Sequence, residues 1–189
     1  MNTPAHLIIG AAAFSIRGNR AATWAAVIGG FLPDLSLYLL AGVSIFVLGI
    51  SPQAVFGDLY FSNAWQQVFA IDNSFILWGI ALSIAVWRRS AVFIALCGAA
   101  LLHLALDFPL HGADARMHFW PVTDWKFIST VSYWDPRSGA ATVEIIEGAL
   151  VFALTVLLLL RHTSLWARLG FLALASTQLA PIIMWRLVF

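Results

Sequence analysis

His103 and Asp107 stand four positions apart in an apolar run, Ala91–Phe108, so a helix there puts an imidazole and a carboxylate on one face, a turn from each other. Such a pair can chelate a single cation. Ionisable side chains inside apolar segments are expensive and mark working sites by default; here they are His6, Asp34, His103, Asp107, Glu144 and Glu147. A helical hairpin folded at Asn19-Arg20 would bring His6 level with Asp34, because both lie about 14 residues from that turn and the rise per residue is equal on the two arms. Four separate unpaired burials are costly, whereas one shared polar site satisfies all four groups.

The same helix runs on into Pro109-Leu110-His111-Gly112-Ala113-Asp114, His118 follows, and Glu144 with Glu147 opens the next helix at the same end. Neutral imidazoles and carboxylates without thiolates suit Zn²⁺ with an open coordination position, or Mn²⁺ or Fe²⁺, each able to activate water. The candidate ligands are therefore His6, Asp34, His103, Asp107, His111 and His118, and the candidate general bases are Asp107, Glu144 and Glu147. Each has a plainer reading as well. An intramembrane histidine or aspartate often only bonds a neighbouring helix, His111 and His118 can be solvated loop residues, and the two glutamates favour a helix N-terminus.

The elements that must position these groups are membrane helices. Of 189 residues 61% are hydrophobic and 10% charged, with a mean hydropathy of +0.89, where a soluble domain carries about a quarter charged residues. The apolar segments read as His6–Ile16, Ala21–Ile50 with an interruption at Pro33-Asp34, Phe75–Trp87, Ala91–Phe108, Val143–Leu160 and Leu169–Phe189. The first is too short to cross alone. The second is either one tilted span or two half-helices meeting at Leu32-Pro33-Asp34, an arrangement tolerated where it lines an enclosed polar site. The expected fold is all-α, a polytopic transmembrane bundle of about six apolar segments forming one integral domain over 1–189.

Arg17 and Arg20, Arg88 and Arg89, and Arg161 and Arg168 fall in three alternate connections, with no Asp or Glu among them, which places those loops in the cytoplasm and both termini in the periplasm. The segments Ser51–Ser74 and Pro109–Thr142 hold the loop aspartates, and 109–142, rich in aromatic residues, is expected to be an ordered cap on the outer surface. Asp58, Asp72, Asp124, Lys126 and Arg137 read as surface groups or loop salt bridges. Trp24, Trp65, Trp78, Trp87, Trp166 and Trp185 lie near segment ends and read as headgroup-level anchors. Cys97, the single cysteine, reads as small core packing. Met1 to Phe14 lacks the basic stretch of a cleaved signal and reads as part of the mature fold. A net charge of +1 without a basic run excludes the usual footprint of a nucleic-acid binder, and no glycine-rich phosphate loop occurs.

Met1-Asn2-Thr3-Pro4-Ala5-His6, Leu32-Pro33-Asp34 and Leu102-His103-Leu104-Ala105-Leu106-Asp107 resemble the membrane-bound metal-dependent hydrolase-like family of bacterial inner-membrane proteins. Phe108-Pro109-Leu110-His111, His118-Phe119-Trp120-Pro121 and Ser132-Tyr133-Trp134-Asp135-Pro136-Arg137 are similar to one subgroup of it, so the resemblance covers roughly residues 1 to 147. It implies a helical membrane fold and a metal site using His6, Asp34, His103 and Asp107, with His111 or His118 nearby. Ser36 and Asn73 stand where typical members carry further acidic and histidine ligands, which implies a centre for one ion or none. Two functions follow as expectations: a membrane-embedded hydrolase acting on lipid or other esters at the periplasmic face, or a non-catalytic subunit or assembly factor of a larger membrane complex. A transporter ranks last, since the polar groups cluster at one end and do not line a path.

Overall fold

In the computed structural model, which describes residues 1–180, every regular element among those residues is helical. Helix α1 (Thr3–Phe14) begins with a proline in its first turn, where the missing N–H costs nothing. It turns back through 15–19 into α2 (Arg20–Phe31), which is capped by the Asn19 side chain accepting from the Ala22 amide. The turn needs a residue in the left-handed region, and Gly18 supplies it at φ +83°.

Pro33 does not end α2. A single 3-10 turn, Leu32–Asp34, carries the chain into α3 (Leu35–Gly42) and a π turn, Val43–Val47, so Arg20–Val47 forms one stretch of 28 residues. A one-turn helix α4 (Pro52–Ala54) and a second π turn, Val55–Leu59, lead to α5 (Asn63–Asp72). Ser74 caps α6 (Phe75–Trp87), and Ser90 caps α7 (Ala91–Asp107). After an irregular segment come α8 (Ala140–Arg161) and α9 (Leu165–Ser176).

Among the described residues, four stretches are long and apolar enough to cross a membrane: Arg20–Val47, Asn63–Trp87, Ala91–Leu110 and Ala140–Arg161. Helices α1 and α9 are shorter, at 12 residues each. Two expectations need revision. The connection Ser51–Ser74 is largely helical, because α5 extends the span that the apolar run begins only at Phe75. The expected last segment, Leu169–Phe189, is observed only as far as Ala180, and its tail with Trp185 lies outside the described residues.

What brings the helices together is the smallness of their contact faces. Ala5, Ala11, Ala22, Ala26, Ala95, Ala99 and Ala100 are buried, and a Cβ added at Gly29 would lie 2.1 Å from the Leu96 carbonyl oxygen. A Cβ at Gly30 would lie 2.6 Å from the His6 carbonyl oxygen. Backbones that meet this closely gain dispersion contacts that lipid chains cannot supply, which is how membrane helices associate. Large apolar side chains point outward instead, Phe46, Phe152 and Leu160 among them. Trp24, Trp87 and Trp166 are exposed, but Trp65 is buried edge-on against Phe69, and the Trp78 indole donates to the Asp72 carbonyl oxygen at 2.7 Å.

Candidate metal centre

Helices α1 and α7, the 3-10 turn that follows α2 and the start of the segment after α7 carry the ionisable groups to one place. His6 Nε2 lies 2.9 Å from Asp107 Oδ1, and the His6 and His103 rings stack at 3.6 Å between centroids, 14° from parallel. His103 Nε2 stands 3.3 Å from Asp107 Oδ2 and 3.7 Å from Asp34 Oδ1. His111 Nε2 stands 3.2 Å from the same Asp107 Oδ2. The Met1 amino group donates to Asp107 Oδ1 as well. His6, His103, Asp107 and His111 are all buried; Asp34, with 16% of its side chain exposed, is the open member.

The orientation of two imidazoles is informative. His103 Nδ1 lies 2.7 Å from the Gly30 carbonyl oxygen, which can only accept, so Nδ1 carries the proton. In the neutral ring Nε2 then presents a bare lone pair to two carboxylates, and it has no hydrogen-bond partner. His111 repeats the pattern: its Nδ1 lies 2.6 Å from Asp114 Oδ2, leaving Nε2 aimed at Asp107. Acceptors opposed to acceptors are unfavourable unless a positive charge lies between them, either a proton or a metal ion. Imidazoles that donate one N–H to a carbonyl or a carboxylate and present the other nitrogen are the usual form of metal-binding histidine. His6, His103 and Asp107 can each offer an atom with all of these within 4.8 Å of one another. The donor set therefore fits a divalent ion.

Charge at the edge of the cluster points the same way. Burial disfavours the imidazolium form of His111, yet the Asp107 and Asp114 carboxylates outweigh it and hold its pKa above the ordinary histidine value. For Asp114 burial is likewise the largest influence, but its bond to His111 and the charge there prevail and keep its pKa below the usual carboxylate range. Such a field attracts protons and metal ions alike, and the two compete.

Asp34 has its own support. Thr3 donates to Asp34 Oδ2 at 2.5 Å, and the Tyr38 hydroxyl, on a half-exposed ring, donates to Thr3 Oγ1 at 3.0 Å. Where sequence spacing paired His6 with Asp34, the register is one turn different. His6 lies beside Gly30 and Thr3 bonds Asp34, because the hairpin pivots on Gly18 and not on Asn19-Arg20.

His118, Glu144 and Glu147 do not join the cluster as expected. His118 donates from Nδ1 to the Asn73 carbonyl oxygen at 2.9 Å and packs against Phe75 and Phe108; burial lowers its pKa to about 4. Glu144 is exposed. Glu147 is buried but committed elsewhere, accepting from the Asn2 amide at 3.0 Å, the Asn2 side chain at 2.9 Å and the Gln178 side chain.

At the two positions where the resembled family carries further ligands, the Ser36 amide donates to Asp72 Oδ2 at 3.1 Å, and the Asn73 side chain donates to the Pro33 and Phe69 carbonyl oxygens, each at 3.0 Å. Asp72 is thereby a half-buried brace and not a surface group. Arg137 does form the surface pair foreseen for it, with Asp135, while Lys126 donates to Gln66. Five participants went unnoticed in the sequence: Asp114, Thr3, Tyr38, the Met1 amino group and the Gly30 carbonyl. Only the first carried a signal, the His111–Asp114 spacing of three.

The segment linking α7 and α8 is tied by main-chain bonds, Phe75 N to His118 O at 2.8 Å and Tyr133 N to Leu110 O at 3.2 Å. No known protein family, curated protein or solved structure matches the chain.

Proposed function

We propose that this is a multi-pass protein of the bacterial inner membrane whose His/Asp cluster, near the periplasmic face, holds one divalent ion and hydrolyses a lipid or other ester substrate. The supporting observation is the bare Nε2 of His103, locked by Gly30 and directed at Asp34 and Asp107. His6, His103, Asp107 and His111 would hold the ion, Zn²⁺ first and Mn²⁺ or Fe²⁺ after it, with Asp34 beside it. A divalent ion so held supplies a polarised phosphoryl or carbonyl oxygen and a more acidic bound water.

The residues divide the remaining work. Asp107 aligns three imidazoles from one carboxylate. Asp114 sets the tautomer of His111. Asp34, the exposed carboxylate, takes up the proton of the attacking water, a role that replaces the one foreseen for Glu144 and Glu147. Thr3 donates to Asp34 Oδ2 and Tyr38 donates to Thr3 Oγ1, a chain of donors that holds this carboxylate in place. The segment 109–142 serves as the cap that limits water.

A second reading, a non-catalytic subunit or assembly factor of a larger membrane complex, is favoured by Asn73, whose amide braces helices at a ligand position of the resembled family. The test is elemental analysis of detergent-purified protein beside turnover of phosphodiester and carboxyl-ester lipid analogues. One Zn, Mn or Fe per chain with turnover supports the hydrolase. Metal-free protein that takes up no ion on dialysis, and turns over nothing, overturns it in favour of the subunit.

A further inference from the structure

The opposite end of the bundle carries a second feature, unrelated to the cluster. Between the α1–α2 turn, α2 and α9 lies a cavity of about 790 Å³, within the range of small-molecule sites. Its mouth is formed by Arg17 and Arg20, with Trp24 and Trp166 beside them, and its floor by Val27, Phe171 and Leu174. Among the described residues no Asp or Glu lines it.

The arginines of this end differ in employment. Arg161 donates to the Ala12 carbonyl oxygen at 2.7 Å, and Arg168 to those of Leu159 and His162 at 3.0 and 2.9 Å, so both are structural. Arg17 and Arg20 are exposed and make no side-chain hydrogen bond or ion pair among the described residues. Two uncommitted guanidinium groups thus stand over an apolar trough. The lining runs along α9 from Ser164 to Thr177, about 20 Å at the helical rise. One leaflet of hydrocarbon is about 15 Å deep. An amphiphile with an anionic head and a chain of leaflet length matches both parts.

We propose that this cavity is a binding site for one anionic phospholipid, its phosphate between Arg17 and Arg20 and an acyl chain along Val27, Phe171 and Leu174. The exposed Trp24 and Trp166 rings sit at headgroup level, where tryptophan partitions. The charge complementarity selects acidic headgroups over zwitterionic ones. Gly170 lines the trough, and nothing lies within 4 Å of a Cβ placed there, so the space beside it is open to an occupant.

The experiment is native mass spectrometry of the full chain in detergent micelles containing equal phosphatidylglycerol and phosphatidylcholine. One bound phosphatidylglycerol is expected, favoured about tenfold or more over phosphatidylcholine. Arg17→Gln with Arg20→Gln should bring that preference close to unity, whereas the lysine pair keeps most of it. Gly170→Phe should lower occupancy by either lipid, because a side chain started at this open position takes up room in the chain trough. Circular dichroism and the metal content of each variant, unchanged in all of them, separate this site from the His/Asp cluster and exclude misfolding.

Three outcomes overturn the proposal: equal retention of both lipids by the unaltered chain, unchanged phosphatidylglycerol binding in Gly170→Phe, or a lipid-free dimer showing that a second copy fills the trough. Displacement of the lipid by millimolar inorganic phosphate would also overturn it, since the chain would then contribute nothing.

Discussion

Two buried polar groupings lie near each other in this bundle, and they are built on opposite rules. In the knot around Glu147, each carboxylate oxygen meets a donor, from the Asn2 amide, the Asn2 side chain or Gln178. In the cluster around Asp107, Oδ1 takes the Met1 amino group and lies beside His6, while Oδ2 meets the lone-pair side of His103 and His111 once those rings are neutral. A completed set of donors and acceptors is sufficient by itself and serves the fold. A set in which acceptors confront acceptors is completed only by a cation, and that distinguishes a site from a strut.

The sharpest way to break the comparison is His103→Ala. On the proposed centre, loss of this imidazole should weaken Zn²⁺ binding by more than the roughly 10- to 100-fold that outer partners control, with the helix content unchanged. Titration calorimetry on detergent-solubilised protein reads this, and affinity within twofold of the unaltered chain would reduce the cluster to packing. Asp114→Asn comes next. It removes the carboxylate that fixes the His111 tautomer and should lower metal affinity about 10- to 100-fold without removing a ligand.

Glu147→Ala addresses the other grouping. It strands the Asn2 and Gln178 donors, so stability should fall by about 1–3 kcal/mol, a melting-point loss of several degrees for a chain of this size, while metal content stays at the wild-type level. A metal-depleted but thermally unchanged Glu147→Ala would reverse the roles assigned to the two groupings. Glu144→Gln should do least: this exposed side chain ought to change stability by no more than about 0.5 kcal/mol and turnover not at all. A large loss of turnover there would restore Glu144 as a base.

The meeting of His6, Asp34, His103 and Asp107 could be anticipated from the chain because helical spacing and the cost of intramembrane charge are both local properties. The pairing within the meeting could not. Moving the pivot from Asn19-Arg20 to Gly18 shifts one arm by a turn, and only the left-handed backbone at Gly18 settles where the hairpin folds. Asp114 was hidden because a loop acid has no periodicity to announce its partner. Glu147 misled for a related reason: a carboxylate at the opening of an apolar helix looks alike whether it faces a substrate or an asparagine. Helix α5 was overlooked because its polar residues, Gln66 among them, serve the segment 108–139 through Lys126 and so dilute the apolar signal.

Gly30 ties these observations to mechanics. Its hydrogen-only side admits the backbone of α1, and its carbonyl oxygen orients His103. The imidazole is therefore steered by main-chain atoms at a close helix crossing, with no flexible side chain to absorb a displacement. A displacement of α1 against α2 moves the carbonyl oxygen that holds the ring, and with it the direction in which Nε2 faces.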